Sequence, residues 1–199
     1  MNLSSPTLIV RRVALVVLLA LVGVAGTAWA QNPPPRSAAT DPAKAGADAE
    51  ILAWLIVLNE NEVAAAMTAE QKASTTEQQK ISQPVLDYAK MLHVQHAKGA
   101  QDTKELATKI GVTPADTPAV EQLRAKGKEG HGKLASLMGP EFERAFVDQM
   151  AAGHREALQK VEQFLKTAQN EALKQHLAAT RERVTLHLKE AERLQHLRS

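Results

Sequence analysis

The carboxy-terminal range Glu141–Ser199 contains no proline. Such a run, rich in alanine, leucine, glutamate, lysine and glutamine, is typical of α-helix. One helix over that range would be about 88 Å long at 1.5 Å per residue, which is too long for a single small domain. We therefore place a break at Thr167–Asn170, where Asn170 is a suitable N-cap for the next helix. The sequence thus predicts two long helices, at about 140–168 and 170–197.

Two further long helices are predicted in the preceding part of the chain. Apolar side chains recur at alternating intervals of three and four residues over about 48–73, the spacing of a helix with one buried face. A second such stripe begins at Pro84, which suits the first turn of a helix, and ends at Gly111, where a glycine commonly stops one. A short extra helix is predicted over about 117–123, because three glycines weaken the pattern that follows it.

These elements predict an all-α fold. Aromatic residues make up only 3% of the chain, which is fewer than the strands of a sandwich or a barrel normally need. Four long helices with mostly short connections favour an antiparallel four-helix bundle running up-down-up-down, with the short extra helix between the second and the third. The alternative is an elongated helical hairpin that dimerises.

Residues 1–30 have the pattern of a cleaved secretory signal peptide. Arg11 and Arg12 form the positive region, Val13–Val24 is the apolar region, and Ala28–Ala30 is an A-x-A cleavage site. The apolar run is shorter than the about 20 residues that a membrane-spanning helix needs. This pattern predicts export by the general secretory route and a periplasmic protein with no stable membrane anchor after cleavage.

The segment that follows the predicted cleavage site differs from the rest of the chain. Residues 31–47 are rich in proline and alanine and show no apolar period, which is typical of a flexible linker. The predicted helical domain then occupies residues 48–199.

Charge and cysteine content exclude several kinds of partner and linkage. Lysine and arginine number 24 against 22 aspartates and glutamates, so the near balance gives no electrostatic case for nucleic acid as a partner. The chain has no cysteine, which excludes a lipid-anchored cysteine and any disulfide. We therefore expect a fold that is stabilised by packing alone.

Each of the four long helices carries one ionisable side chain near the middle of its apolar stripe. These residues are Glu62, His96, His154 and His187. Residues at mid-helix meet in one layer of a bundle whichever way each helix runs. Three imidazoles and a carboxylate form a ligand set for zinc, copper, nickel or iron. A metal-free Glu–His hydrogen-bond network is the alternative, since each unpaired buried polar group costs about 1–3 kcal/mol.

Three other histidines make weaker candidates. His93 lies three residues before His96 and shares its helix face, but we interpret it as a solvated flank residue. His131 falls in the glycine-rich connection and His196 near the carboxy terminus, and the sequence gives neither of them a partner.

Short motifs along these helices resemble a known family. They are Glu62-Val63 with the alanine-rich run to Ala73, Met91–His96, Leu106-Ala107, Phe142–His154 and His187–Ala191. Through them, the range Leu52–Leu194 is similar to a bacterial family of exported proteins of unknown function, some of which are labelled outer membrane proteins. The resemblance implies a ferritin-like four-helix fold and no particular reaction. It also implies that Glu62, His96, His154 and His187 occupy the family's characteristic polar positions.

The sequence departs from the family beside one of these positions. In the family, the histidine of the second helix usually follows an aspartate, whereas His96 follows Gln95 here. An acidic residue at that place would orient an imidazole by accepting a hydrogen bond from it.

Two classes of enzyme are not expected from the sequence. A di-iron protein of ferritin-like fold needs a Glu-x-x-His motif on two helices, but the residues three positions before the candidate histidines are His93, Ala151 and Val184. No cysteine is present and no serine lies in a nucleophile elbow. Two functions remain: a metal-binding exported bundle, and a metal-free structural or stress-related interaction module.

Overall fold

A computed structural model of the chain describes residues 42–73 and 81–197, with side chains from Gly46 onward. These residues form five helices and no strand, which confirms the predicted all-α class for this part of the chain. The helices are α1 (Pro42–Ala73), α2 (Gln83–Ile110), α3 (Pro118–Ser136), α4 (Gly139–Thr167) and α5 (Glu171–His196). The predicted signal peptide and residues 31–41 of the predicted linker lie outside the described residues.

Most helix ends fall where the sequence places them, and the local chemistry explains them. Gly111 ends α2 in the left-handed conformation, with φ 67°, a conformation that glycine adopts without steric cost. Asn170 is the N-cap of α5, because its side-chain oxygen accepts hydrogen bonds from the N–H groups of Ala172 at 2.9 Å and Leu173 at 3.2 Å. Asp48 supports the same turn by accepting from two of its backbone N–H groups.

The first helix begins earlier than expected. α1 starts at Pro42 rather than near residue 48, so the end of the predicted linker is helical. Proline is favoured in the first turn of a helix, and the alanines and lysine that follow it are good helix formers.

The extra helix is longer than the short element expected over 117–123. α3 continues to Ser136 through three glycines. Two of them allow close packing: a Cβ on Gly127 would lie 2.1 Å from Asn61 Cγ, and one on Gly130 would lie 2.9 Å from Gln149 Nε2. Tertiary packing on α1 and α4 therefore offsets the low helix propensity of glycine.

Two side chains of α1 hold α3 in place by donating hydrogen bonds to its backbone. Asn61 Nδ2 donates to the carbonyl of Leu123 at 3.0 Å, and Lys72 Nζ donates to the carbonyl of Ala135 at 2.8 Å. Ala135 lies in the last turn of α3, where carbonyls have no partner within the helix. Lys72 therefore caps that end.

Side-chain pairs give the relative directions of the helices. The pairs are Glu70 with His93 and Glu60 with Lys104 between α1 and α2, Gln95 with His187 and Thr103 with His176 between α2 and α5, and Arg155 with Glu192 and Arg181 with Glu162 between α4 and α5. For each pair of helices, moving forward along one helix from the first contact to the second means moving backward along the other. The two helices of each pair are therefore antiparallel. Trp54 of α1 contacts Phe164 of α4, and Lys72 Nζ lies 5.6 Å from the centroid of the Phe142 ring, so α1 and α4 are also antiparallel.

The four long helices therefore form a ring of contacts in the order α1, α2, α5, α4. α2 and α4 run parallel across its diagonal, so the expected up-down-up-down order of these helices is wrong. The reason is α3, which is about 28 Å long at 1.5 Å per residue and lies outside the ring against α1 and α4. It carries the chain back to the opposite end before α4 begins.

The buried apolar residues form two clusters, separated along every helix of the ring. One contains Trp54, Val161 and Leu177, and the other contains Leu92 and Phe146. The four polar residues predicted to share a layer lie between them: on each of α1, α2, α4 and α5, one cluster precedes the polar residue in sequence and the other follows it.

α1 has the length and apolar composition of a membrane-spanning helix over Gly46–Ala73. However, 67% of its most apolar window is buried by the rest of the protein. Burial of this kind is typical of a central core helix, which has the same composition.

Candidate metal centre

Three histidines from three helices meet at the centre of the ring. His96 of α2, His154 of α4 and His187 of α5 are 3%, 1% and 1% exposed. Their ring centroids are 4.9–5.6 Å apart. Each histidine offers one ring nitrogen, and these three nitrogens all lie within 4.8 Å of one another. The structure thus brings together the three histidines that the sequence singled out.

One nitrogen of each imidazole points away from this centre and is hydrogen-bonded to an oxygen. The pairs are His96 Nδ1 with Asn59 Oδ1 at 2.9 Å, His154 Nδ1 with the Met150 carbonyl at 2.6 Å, and His187 Nε2 with Gln95 Oε1 at 2.9 Å. A carbonyl or amide oxygen can only accept, so each of these ring nitrogens carries the proton and donates. In a neutral imidazole the other nitrogen then has a free lone pair.

The orientation of the Asn59 amide has its own support. Asn59 Nδ2 donates to the carbonyl of Leu55 at 2.7 Å, which leaves Oδ1 to face His96. A hydrogen bond also holds the backbone of His187 in place, because the Tyr88 hydroxyl donates to the His187 carbonyl at 3.0 Å.

The inward-facing atoms have no partners among the described residues. They are His96 Nε2, His154 Nε2, His187 Nδ1 and Glu62 Oε2, and all four are buried. Each such group costs about 1–3 kcal/mol when it is left unpaired. Three of the four are imidazole lone pairs, which accept and cannot donate, so they cannot satisfy one another. A cation and a hydrogen-bond donor are the two kinds of group that can pair with all four atoms.

Glu62 belongs to the same layer but stands beside the histidine cluster. Glu62 is 7% exposed. Its carboxylate does not belong to the set of ligand atoms that lie within 4.8 Å of one another, which comes from the three histidines. A Cβ on Gly153 would lie 3.3 Å from Glu62 Oε1, so the carboxyl group faces the glycine next to His154. Burial raises the pKa of Glu62, and the proximity of His154 opposes that shift to a smaller extent.

The electrostatics favour neutral imidazoles in two of the histidines. Burial lowers the pKa of His187 to about 3, with further lowering by His154 and Arg183. Burial, together with His187, His154 and Arg183, also places the pKa of His96 well below its usual value. At neutral pH both rings are therefore uncharged, which is the form that binds a metal ion.

The other four histidines lie outside the cluster, and His176 Nε2 lies 2.9 Å from Thr103 Oγ1. His93 is partly exposed and its Nδ1 lies 2.9 Å from Glu70 Oε1, in agreement with its interpretation as a flank residue. His131 and His196 are exposed.

Comparison with known proteins assigns a family. The family described as "Domain of unknown function (DUF4142)" matches residues 33–194. The chain belongs to this family. The comparisons with curated proteins and with solved structures find no match. The DUF4142 range includes Glu62 and all three histidines of the cluster.

In this DUF4142 domain, Gln95 orients a different histidine from the one expected. The resemblance suggested that the residue before His96 would orient His96 itself, but the Gln95 amide accepts from His187 on α5. Successive residues on a helix point about 100° apart, so Gln95 reaches the neighbouring helix while His96 faces the centre. The partner of His96 is Asn59, a residue that the sequence analysis did not single out.

Proposed function

We propose that this protein is an exported helical-bundle protein that binds one transition-metal ion, zinc, copper, nickel or iron, in the central layer. His96, His154 and His187 would supply three nitrogen ligands and Glu62 a carboxylate oxygen. One observation carries the proposal: the unpartnered buried atoms of the described residues include one from each of these four side chains. Their donor types are those of a first-row transition-metal site.

The spacing of the nitrogens is compatible with this assignment. Zinc–nitrogen bonds of about 2.0–2.1 Å place two ligands of a tetrahedral site about 3.3 Å apart. The donor nitrogens here lie within 4.8 Å of one another, so contraction on the order of 1 Å brings them to bonding distance. The outward hydrogen bonds of the three rings hold them in the tautomers that this requires.

The metal-free interaction module is the alternative function, and it predicts hydrogen bonds between Glu62 and the imidazoles. Among the described residues, the ring hydrogen bonds of the cluster run outward, to Asn59, Met150 and Gln95. Glu62 Oε2 has no partner. This arrangement favours metal binding over a self-satisfied network.

We also propose a ferritin-like arrangement and a periplasmic location. The first is supported by the directions of the helices, since ferritin-like bundles have one long crossover connection and α3 occupies that place here. The second is supported by the signal-peptide pattern of residues 1–30.

Calorimetric titration of the chain lacking residues 1–30 tests metal binding. Zn²⁺, Cu²⁺, Ni²⁺ and, under anaerobic conditions, Fe²⁺ are each added to the wild-type protein and to four variants. We expect one ion per chain and a melting temperature that rises with ligand excess, because the ion binds the folded state. His154→Ala and His187→Ala are expected to abolish both effects, whereas His131→Ala and His196→Ala leave them unchanged.

Circular dichroism of each variant establishes that it is folded before the titration is interpreted. If the folded wild type takes up none of the four ions, or if binding survives loss of His154 and His187, the metal site is wrong and the interaction module takes its place.

A further inference from the structure

A cavity of about 310 Å³ lies between α1, α3 and α4 and reaches the central layer. Of the four proposed ligands, Glu62 is the one that lines it. Met150 and Gly153 line it as well, and Gly153 directly precedes His154 in α4. The inner end of the cavity is therefore next to the proposed metal site.

The outer end of the cavity is charged and open to solvent. Two ion pairs line it, Lys126 with Glu156 and Lys133 with Glu129, and all four side chains are more than half exposed. Each lysine is paired with a carboxylate, so this end has no excess positive charge that would repel a cation.

The wall of the cavity formed by α3 has no large apolar side chain between Leu123 and Leu134. The buried residues of α3 are Val120 and Leu134, near its two ends. Between them, Gly127 and Gly130 line the cavity together with the partly buried Leu123. α3 is thus anchored by apolar side chains near both ends, whereas its middle approaches Asn61 of α1 and Gln149 of α4, which also line the cavity, through glycines.

We propose that this cavity is the route by which the metal ion enters and leaves the centre, and that Glu62 is the first protein ligand it meets. The inference rests on the proposed metal site. The three imidazoles are almost fully buried, so an ion needs a path through the protein, and the cavity ends at the one carboxylate of the layer. Carboxylate oxygens bind the same ions as imidazole does, so Glu62 can take up an ion before the histidines do.

Stopped-flow absorbance with Co²⁺, whose spectrum changes on tetrahedral coordination, tests the route. Ala152 is exposed and lines the cavity, so Ala152→Phe obstructs it without removing a buried group. We expect the association and dissociation rates to fall together by about tenfold. The Kd stays unchanged, because an obstruction alters the barrier and not the end states. Ala97→Phe is the matched control: Ala97 is an exposed alanine next to His96 that does not line the cavity, and its variant keeps the wild-type rates.

Three further variants test the effect of a wider cavity and the role of Glu62. Leu123→Ala widens the cavity and is expected to raise both rates. Glu62→Gln is expected to lower the association rate of the ion, because the ion would bind Glu62 before it reaches the histidines. His187→Gln, which affects a later ligand, is expected mainly to raise the dissociation rate.

The outcomes separate this inference from the proposed function. Absence of Co²⁺ binding, together with absence of binding of the four ions above, overturns the metal site itself. Normal binding with wild-type rates in both Ala152→Phe and Leu123→Ala overturns the route and leaves the site intact. A Glu62→Gln protein in which only the dissociation rate changes shows that Glu62 is not the first ligand.

Discussion

Two amide side chains control how the imidazoles present their nitrogens. Asn59 and Gln95 accept hydrogen bonds from His96 and His187, respectively, and so fix both the tautomer and the orientation of each ring. In metal sites, replacing a residue that orients a ligand in this way typically lowers the metal affinity by about 10–100-fold. Their identity therefore matters to the site although neither of them faces the centre.

We predict that Gln95→Ala lowers the metal affinity by about 10–100-fold, because His187 Nε2 loses its acceptor. Gln95→Glu keeps an oxygen at the same distance along the side chain and is expected to retain most of the affinity. Competition with a chromophoric chelator measures the difference. Gln101→Ala is the control, since Gln101 is an exposed residue of α2 that pairs with Glu105 on the same helix. Equal affinities of Gln95→Ala and the wild type would contradict an orienting role.

For individual residues, the sequence predicts the four polar side chains of the central layer. It does not predict the two amides, Asn59 and Gln95, that hydrogen-bond to the imidazoles. Glu62 and the three histidines are recognisable because an ionisable residue in an apolar stripe is exceptional. Asn59 is not, since an asparagine in a helix is common on the surface. The pairing of Gln95 with His187 depends on α2 and α5 being neighbours, which no spacing within α2 reveals.

Among the helices, α3 depends most on its surroundings. Its glycines lower its intrinsic helix propensity, and this is why the sequence predicts only a short element there. The contacts that compensate come from Asn61 and Lys72, far away in sequence on α1. The other helices have long stripes, capping residues and proline starts, and their ends are largely predictable for that reason.

Two glycines of α3 provide a matched test of this dependence. Gly132 has nothing within 4 Å of an added Cβ, whereas a Cβ on Gly127 meets Asn61. Gly132→Ala is expected to raise the free energy of unfolding by about 1 kcal/mol through helix propensity. Gly127→Ala is expected to give no such gain, because displacing Asn61 breaks its hydrogen bond to Leu123 and costs about 1 kcal/mol. Chemical denaturation of the two variants measures the contrast, and equal stabilisation would show that α3 does not pack closely at Gly127.

At the scale of the whole molecule, the direction of the helices could not be read from their lengths. Four helices with short connections favour up-down-up-down packing, but a fifth helix of 19 residues changes the direction in which α4 begins. The layer of polar residues is nevertheless predicted well, because residues at mid-helix share a level in either arrangement.

The amino-terminal part of the chain carries a prediction of its own. On expression in a Gram-negative host, we expect cleavage after Ala30 and a mature protein that begins at Gln31, because the A-x-A site directly follows the apolar run. Intact-mass measurement of the periplasmic fraction checks this. Ala30→Leu should leave the precursor uncleaved, whereas Ala38→Leu, beyond the site, should be processed normally. Recovery of the wild-type chain in membranes with residues 1–30 attached would be the contrary result.

The four side chains of the central layer come from four different helices, and no two of them share one. The site therefore exists only while α1, α2, α4 and α5 are packed together, and separating any one helix removes a donor. An ion bound at the proposed site would hold together segments that are distant along the chain, in a protein with no cysteine to cross-link them. Binding of the ion would then report the integrity of the molecule, because a chain that has begun to open no longer presents all four donors together.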